Sequence, residues 1–205
     1  MSEDNNDDLF DFGLSGLSTQ FHQDVEETPL EVARLWATGD ARRLRDDAVR
    51  LLQHPVPDWA LTALWRAASS MVGMDGIRTW LQDVETLCAA ELLADGPTLE
   101  APRSEVLPQG LTDAVLDELH LIGPALANAT TSHPYAAVPD VVPALEITIR
   151  DVDPNLGFRM LLRCLSRYWI PLDHASYDRY TNLGRQFSLG EYVVGACDFL
   201  LKLPD

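Results

Sequence analysis

The chain has 205 residues and a formal charge of −17, from 32 acidic residues against 15 basic ones. Its 46% hydrophobic residues are enough to form the core of one globular unit. A surface this acidic repels nucleic-acid phosphates and anionic lipid heads, which argues against direct binding to DNA, RNA or a membrane surface. We therefore expect that the acidic surface serves a basic protein partner or simply keeps the protein soluble.

The three cysteines, Cys88, Cys164 and Cys197, lie far apart in apolar, helical contexts. Free cysteine packs as a small hydrophobe, so we predict buried free thiols and a reducing compartment. The N-terminal "MSEDNNDDLF" is acidic where a secretory signal is basic, and no apolar run reaches the length of a membrane span. These features predict a cytoplasmic protein.

Residues 1–27 carry eight acidic residues and no Lys or Arg. Glycines and serines interrupt their few hydrophobic residues, which favours a disordered acidic tail. Within it, "LFDFGLSGL" sets apolar side chains among acidic ones, a pattern typical of segments that dock into a groove of a partner. The candidate partner-binding residues are Leu9, Phe10, Phe12 and Leu14. The alternative is a solvated leader that aids solubility.

A first helical block is predicted over residues 28–94. Thr28 and Glu31 form the pattern of a capping box, and Gly39 is a helix stop. Three of the four predicted helices have the approximate bounds 28–39, 40–53 and 76–93. The other is capped by Asp58, and Leu61, Leu64, Trp65 and Ala68 follow helical spacing in it. Connections of a few residues favour antiparallel neighbours in a multi-helix bundle or a stack of helical hairpins.

A linker is predicted over residues 95–110, which hold three prolines and two glycines without a periodic pattern. A second helical block, 111–205, follows, and the two blocks can also form one compact domain. Pro124 should kink or end the first helix of this block. Residues 141–150 are ambiguous, because their β-branched residues favour a strand and their surroundings a helix; we predict a helix.

The remaining elements are predicted from their helix-start and helix-stop signals. Asp153 begins a helix that reaches Ile170, a shorter helix ends at Gly184, and a last one runs from a cap at Ser188 to about Leu203. The predicted fold class is therefore all-α, with about 8–10 helices and a disordered acidic N-terminal tail.

Motifs for enzymatic chemistry are missing from the sequence. It has no P-loop, no G-x-S-x-G and no C-x-x-C. Glu118 and His120 are two residues apart, so they point apart on a helix and cannot share a metal. We interpret these two and the similarly spaced Asp83 and Glu85 as a solvated helix face. No catalytic residue, metal or cofactor is predicted.

The stretch "RYWIPLDHASYDRYTNLG", residues 167–184, is the most suggestive of chemistry. His174 and Asp178 are four residues apart on a predicted helix, so a carboxylate could orient the imidazole. The structural interpretation explains more of the residues, because Asp173 is a preferred N-cap residue and a proline precedes it. Asp173, His174 and Asp178 are thus kept as an outside candidate for a functional cluster.

Two further sets of residues are candidates for partner binding. Arg42 and Arg43 lie in an arginine-rich helix, where they form either intrahelical ion pairs or a recognition patch for an acidic partner. Trp59 and Trp65 offer aromatic surface to a partner, with packing in the core as the alternative.

The segment "DAVRLLQHPVP" follows a D-A-x-R-x-L-x-H-x-x-P pattern, and Trp65 lies beyond it. With these features, residues 28–65 resemble a family of uncharacterised bacterial helical proteins encoded near type VI secretion accessory genes. The resemblance implies an accessory or adaptor role without known catalytic residues, and it suggests that His54 stabilises a turn. The residues that match the pattern are Asp47, Ala48, Arg50, Leu52, His54 and Pro57.

The patterns together predict a non-enzymatic cytoplasmic adaptor or chaperone-like accessory protein of a bacterial multi-protein system for secretion or defence. The alternative is an acidic inhibitor or immunity protein that neutralises a basic effector by charge complementarity. An enzyme centred on His174 is the third hypothesis.

Overall fold

The computed structural model shows an all-α fold, as predicted. It describes residues 11, 13–21, 27–69, 76–96, 99, 101–102, 108, 110–132 and 137–201. Within this part of the chain there are nine α-helices and no strand. The helices are α1 Leu14–Leu17, α2 Pro29–Gln53, α3 Asp58–Ala68, α4 Ile77–Asp95, α5 Leu111–Ser132, α6 Val141–Ile147, α7 Pro154–Arg167, α8 His174–Gln186 and α9 Glu191–Gly195.

The N-terminal segment 13–21 is folded, which corrects the prediction of a disordered tail at these residues. It forms α1 and a 3₁₀ turn, and Leu14, Leu17 and Phe21 are buried in the core. The segment has few apolar side chains, but these three pack against apolar side chains of later helices. Their burial offsets the conformational entropy that is lost when the segment becomes ordered. The other residues of the predicted tail, except Asp11 and Glu27, lie outside the described residues.

Helix α2 begins at the predicted capping box. Thr28 Oγ1 accepts a hydrogen bond from Glu31 N (3.3 Å), and the Glu31 carboxylate accepts one from Thr28 N (2.8 Å). The stop predicted at Gly39 becomes an interruption at Asp40, whose φ of −156° and ψ of 87° are not helical. Asp40 Oδ1 accepts a hydrogen bond from Arg43 N (2.9 Å), so Asp40 caps the second half of α2.

Helices α3 and α4 bury an aromatic cluster. The ring centroids of Trp65 and Trp80 lie 4.5 Å apart, and Phe21 packs edge-on against both rings. Trp65 is therefore a core residue, which corrects its prediction as a partner-binding residue. Beyond α2, His54 Nδ1 donates a hydrogen bond to the carbonyl oxygen of Arg50 (2.7 Å), so His54 does stabilise the end of that helix.

The second block departs from prediction at a proline. Helix α5 continues through Pro124, where we expected a kink or an end. Pro124 and His120, one turn earlier, both lie on the exposed face of the helix. Water can therefore replace the hydrogen bond that the His120 carbonyl loses. Residues 141–150 are helical as predicted, because α6 leads into a single π-helical turn at Thr148–Val152.

The last predicted helix is replaced by α9 and a 3₁₀ turn at Asp198–Leu200. Helix α8 passes through Gly184 and ends with two hydrogen bonds, from Leu189 N to the Gly184 carbonyl (2.9 Å) and from Ser188 N to the Arg185 carbonyl (3.1 Å). This is the Schellman pattern. Ser188 has a φ of 54° and completes the end of α8, so it cannot cap the following helix as predicted.

Side chains from both predicted blocks form one hydrophobic core. Helix α3 of the first block packs against α6 and α7 of the second, and α2 packs against α4. Most of the predicted linker lies outside the described residues. Among the helices given above, none has both the length and the apolar character of a membrane span.

Candidate functional site

Of the hydrophobic residues predicted to bind a partner, two are buried, one is exposed and three lie outside the described residues. Leu9, Phe10 and Phe12 lie outside the described residues, and for them docking stays a prediction. Leu14 is in the core, so it cannot take part in a docking motif while the segment is folded. Trp59 is 48% exposed on α3 and remains accessible to a partner.

Arg42 and Arg43 are half-buried and line a cleft of about 230 Å³ on α2. The same cleft is lined by Asp40, Asp46 and Arg50, so basic and acidic groups are mixed in it. The mixture favours neither an acidic nor a basic ligand. An arginine patch for an acidic partner therefore stays a prediction.

The cluster in "RYWIPLDHASYDRYTNLG" shapes the start of α8. The Asp173 carboxylate accepts a hydrogen bond from Ser176 N (2.7 Å), which makes it the predicted N-cap. His174 and Asp178 are both exposed, and no hydrogen bond or ion pair joins them. The geometry that would let Asp178 orient the imidazole is thus not formed.

Two of the carboxylates that we predicted to lie on a solvated helix face, Glu118 and Glu85, form ion pairs instead. Glu118 is buried and forms an ion pair with Arg179, with Arg179 Nη2 at 3.2 Å from Glu118 Oε2. Glu85 forms an ion pair with Arg45 at 3.1 Å. Both pairs join helices that are distant in the sequence, so periodicity within one helix could not predict them.

The three cysteines are buried free thiols, as predicted. Burial raises the pKa of both Cys88 and Cys164 to about 12, so neither thiol forms a nucleophilic thiolate near neutral pH. Among the described residues, no group of three or more His, Cys, Asp or Glu side chains is arranged to hold a metal ion.

A buried ionic cluster, which we call the Arg159 cluster, connects three distant segments. Arg159 on α7 donates through both terminal nitrogens to Asp47 on α2, with Nη2 to Oδ1 at 2.7 Å and Nη1 to Oδ2 at 2.9 Å. Nη1 also donates to Asp11 Oδ1 (3.0 Å) and Ser15 Oγ (2.8 Å). Nε donates to Asn155 Oδ1 (2.9 Å), so every nitrogen of the guanidinium has an acceptor.

The backbone of the N-terminal segment closes over the Arg159 cluster. Leu14 N donates to Asp47 Oδ2 (2.9 Å), and Gly13 N donates to Asp11 Oδ1 (3.1 Å). A Cβ atom at Gly13 would overlap both Asp47 and Arg159, so the close approach requires glycine. The cluster thus fixes this segment against α2 and α7.

The charges of the Arg159 cluster are maintained by one another. Burial acts to raise the pKa of Asp11, but the Arg159 guanidinium and the Ser15 hydroxyl hold it below its usual value. Burial likewise acts to lower the pKa of Arg159, and Asp47 with Asp11 raise it above its usual value. Because every nitrogen of the guanidinium is bonded to a group of the protein, the role of this cluster is structural.

Arg159 is the first of three arginines that follow each other at intervals of four residues on α7. The other two are Arg163 and Arg167, and i, i+4 spacing places all three on neighbouring turns of the same face. Arg167 lies over the ring of Tyr168, with its guanidinium carbon 5.8 Å from the ring centroid. The Nε atom of Arg163 is buried and has no hydrogen-bond partner among the described residues. The R-x-x-x-R-x-x-x-R spacing was visible in the sequence, and we did not predict a site there.

An exposed aromatic pair lies just beyond this arginine row. Trp169 is 71% exposed and Phe199 52%, and their ring centroids are 5.0 Å apart in an edge-to-face arrangement. Trp169 follows α7 with a φ of 53°, in the left-handed region that favours glycine. The bond from Ile170 N to the Leu165 carbonyl (3.0 Å) completes the Schellman pattern there.

Comparisons with known proteins give no match to a protein-family model, to a curated protein or to a solved structure. The resemblance of residues 28–65 to secretion-linked bacterial proteins therefore stays a prediction.

Proposed function

We propose that this protein is a non-enzymatic adaptor or chaperone-like accessory protein that binds a basic protein partner through the aromatic pair Trp169 and Phe199. The observation that carries the proposal is the exposure of Trp169 at a backbone position that disfavours it. The bacterial setting, in secretion or defence, and the cytoplasmic location come from the sequence predictions and are part of the proposal.

Trp169 is an unusual residue for its position. A left-handed conformation costs an L-residue about 1–2 kcal/mol, and helices that end in this way have mostly glycine there. A tryptophan at this position directs a large, rigid side chain outward, where the fold itself gains little from it. Tryptophan is enriched among the residues that dominate binding energy at protein interfaces. Partner binding explains why such a residue is tolerated at the end of α7.

Charge around the aromatic pair favours a basic partner. Leu172 N donates to the Leu200 carbonyl (2.8 Å), so the segment after Trp169 lies beside the segment that carries Phe199. This pairing places the exposed Asp173 and Asp198 near the aromatic pair. With the net charge of −17, these acids attract a basic surface and accelerate its association.

The net charge also favours a second candidate function, an acidic inhibitor or immunity protein that neutralises a basic effector. Binding would then depend on many dispersed carboxylates and weaken steeply as salt screens them. Binding through the aromatic pair would lose association rate in salt but would keep most of its affinity.

The test uses the full chain as bait in a lysate of the native host, with bound proteins identified by mass spectrometry. The variants are Trp169→Gly and Phe199→Ala, and the matched control is Leu121→Ala, which removes an exposed large hydrophobic side chain from α5. We expect one basic protein to be captured by the wild type and the control and lost by both variants. With that partner purified, titration calorimetry should give about a 10-fold or larger loss of affinity for each variant.

The Trp169→Gly variant should still fold, because glycine is favoured at position 169. A loss of capture by this variant would therefore not result from unfolding. Trp169→Gly should leave the free energy of unfolding unchanged or raise it by about 1 kcal/mol. Equal capture by Trp169→Gly and the wild type would contradict the proposal. Capture that no single aromatic variant affects, and that is abolished by 0.5 M salt (on the order of a 4 Å Debye length), would support the inhibitor instead.

A further inference from the structure

A second cleft, of about 160 Å³, lies where α1, α2, α7 and α9 meet. We call it the Arg163 cleft. Its apolar lining includes Trp36, Leu162 and Val193, and Arg163 lines it as well. Ala196 and Tyr192 are exposed and lie at its rim, so the cleft is open to solvent. It is smaller than the pockets of about 300–1,000 Å³ that bind drug-sized ligands, which limits its occupant to a small molecule.

Arg163 has no counter-ion or hydrogen-bond acceptor among the described residues. Its Nε is buried and unbonded, and no ion pair to its guanidinium is formed. Burial lowers the pKa of Arg163, which reflects the cost of keeping this charge away from water. Asp11 attracts Arg163 at a distance, but its carboxylate is engaged by Arg159 and Ser15.

The other polar groups of the Arg163 cleft are already bonded. Ser166 Oγ and Cys197 Sγ form a hydrogen bond with each other (3.3 Å), and each nitrogen of the Arg159 guanidinium is bonded. Of the charged groups that line the cleft, Asp11 and Arg159 are paired with each other, and Arg163 has donors without a partner among the described residues. A guanidinium pairs with a carboxylate through two parallel N–H···O bonds, and such charge-assisted bonds are strong where water is scarce.

We propose that the Arg163 cleft binds a small monocarboxylate with an apolar body, the carboxylate on Arg163 and the body against Trp36 and Leu162. The apolar walls favour a ligand with a hydrocarbon part over a bare inorganic anion. A single negative charge fits better than two, because the Asp11 carboxylate lines the same cleft and repels a dianion. This site is separate from the aromatic pair and does not depend on the proposed function.

The test is titration calorimetry of the full chain with sodium acetate, butyrate, hexanoate and benzoate at constant ionic strength. Hexanamide tests the need for charge, and inorganic phosphate tests the preference for a monoanion. We expect affinity to rise from acetate to the longer or aromatic carboxylates, with hexanamide and phosphate at least about 10-fold weaker than the best of them.

Two variants place the ligand in the cleft. Arg163→Gln removes the charge and should weaken binding of the best carboxylate about 10-fold or more. Ala196→Trp should weaken it similarly by filling the rim. The matched control is Arg185→Gln, which removes an exposed arginine from α8 and should bind as the wild type does.

The unfolding midpoint in urea separates a binding role of Arg163 from a structural one. Since the fold gives its Nε no partner, Arg163→Gln should keep or raise the midpoint. A lower midpoint together with unchanged carboxylate binding would overturn the proposal. It would also be overturned if none of the carboxylates bound at millimolar concentration, or if hexanamide or phosphate bound as tightly. A carboxylate that binds equally to Trp169→Gly and the wild type would confirm that the two sites are independent.

Discussion

Arg159 is a buried charge that stabilises the fold only as long as its partners are present. It lies 2% exposed between carboxylates that are 112 and 148 residues away in the sequence. The free energy of desolvating these buried charges cancels much of their electrostatic attraction. The net contribution of the cluster to the free energy of folding is therefore modest. Removing one partner is strongly destabilising, because the remaining charges stay buried without an opposite charge beside them.

We therefore expect Arg159→Met to lower the free energy of unfolding by about 3–5 kcal/mol, because it leaves Asp47 and Asp11 buried without their cation. The matched control is Arg150→Met, which breaks an ion pair with Glu146 at the surface and should cost less than about 1 kcal/mol. Urea unfolding followed by circular dichroism measures both. Similar losses for the two variants would contradict the role assigned to the Arg159 cluster.

Asp11 predicts a defined response to acid. Its pKa in the folded protein is below its usual value, so the unfolded chain takes up the proton first as pH falls. The stability that Asp11 contributes is fully present above about pH 4 and is lost as pH falls through the lower, folded pKa.

Asp11→Asn should be less stable than the wild type at pH 7, but its free energy of unfolding should fall less steeply below pH 4. The difference in slope should approach at most about 1.4 kcal/mol per pH unit, the value for one proton. Urea unfolding at several pH values between 2 and 7 measures this slope. If the free energy of unfolding of the two proteins changed in parallel with pH, Asp11 would not be the source of the loss of stability in acid.

At the scale of elements, most helix starts followed the sequence, but the ends of α7 and α8 did not. The N-caps at Thr28, Asp153 and Asp173 accept backbone hydrogen bonds as predicted. The ends of α7 and α8 are Schellman motifs with Trp169 and Ser188 in the position that usually holds glycine. An N-cap forms through the side chain of the capping residue, which the sequence shows directly. These two helix ends require a left-handed backbone conformation, which neither Trp169 nor Ser188 favours.

The interruption of α2 gives a test at this scale. Asp40→Ala removes the carboxylate that accepts from Arg43 N and should lower the free energy of unfolding by about 1 kcal/mol. The control is Thr38→Ala, two residues away on the exposed surface, whose hydroxyl bonds to a carbonyl within its own helix. We expect the control to change stability by less than about 0.5 kcal/mol in the same urea titration. An Asp40→Ala protein as stable as the control would show that the cap contributes nothing.

The whole molecule is organised around one core that includes the N-terminal segment. Phe21 completes the aromatic cluster of Trp65 and Trp80, and Leu14 and Leu17 fill space between later helices. The acidic composition around these residues suggested a solvated tail, because composition does not show which partners a segment meets. Removing residues 1–27 would therefore test folding and partner capture together, and single substitutions separate the two.

Leu14→Ala should lower the free energy of unfolding by about 2–5 kcal/mol, the range for buried leucines. The matched control is Leu35→Ala on α2, since Leu35 is 65% exposed whereas Leu14 is 1% exposed. The control should change stability by about 0.5 kcal/mol or less. Thermal or urea unfolding of both proteins decides whether the segment belongs to the core, and equal effects would place Leu14 outside it.

The sequence by itself determined the all-α class, most helix starts and the burial of the three thiols, because periodicity and capping act within a few residues. It did not determine the fate of Leu14 or Trp65, nor the pairing of Arg159 with Asp47, which depend on residues far apart in the chain. The exposure of Trp169 and the unpaired Nε of Arg163 were also decided only in three dimensions, because whether a side chain finds a partner depends on the packing of the helices around it.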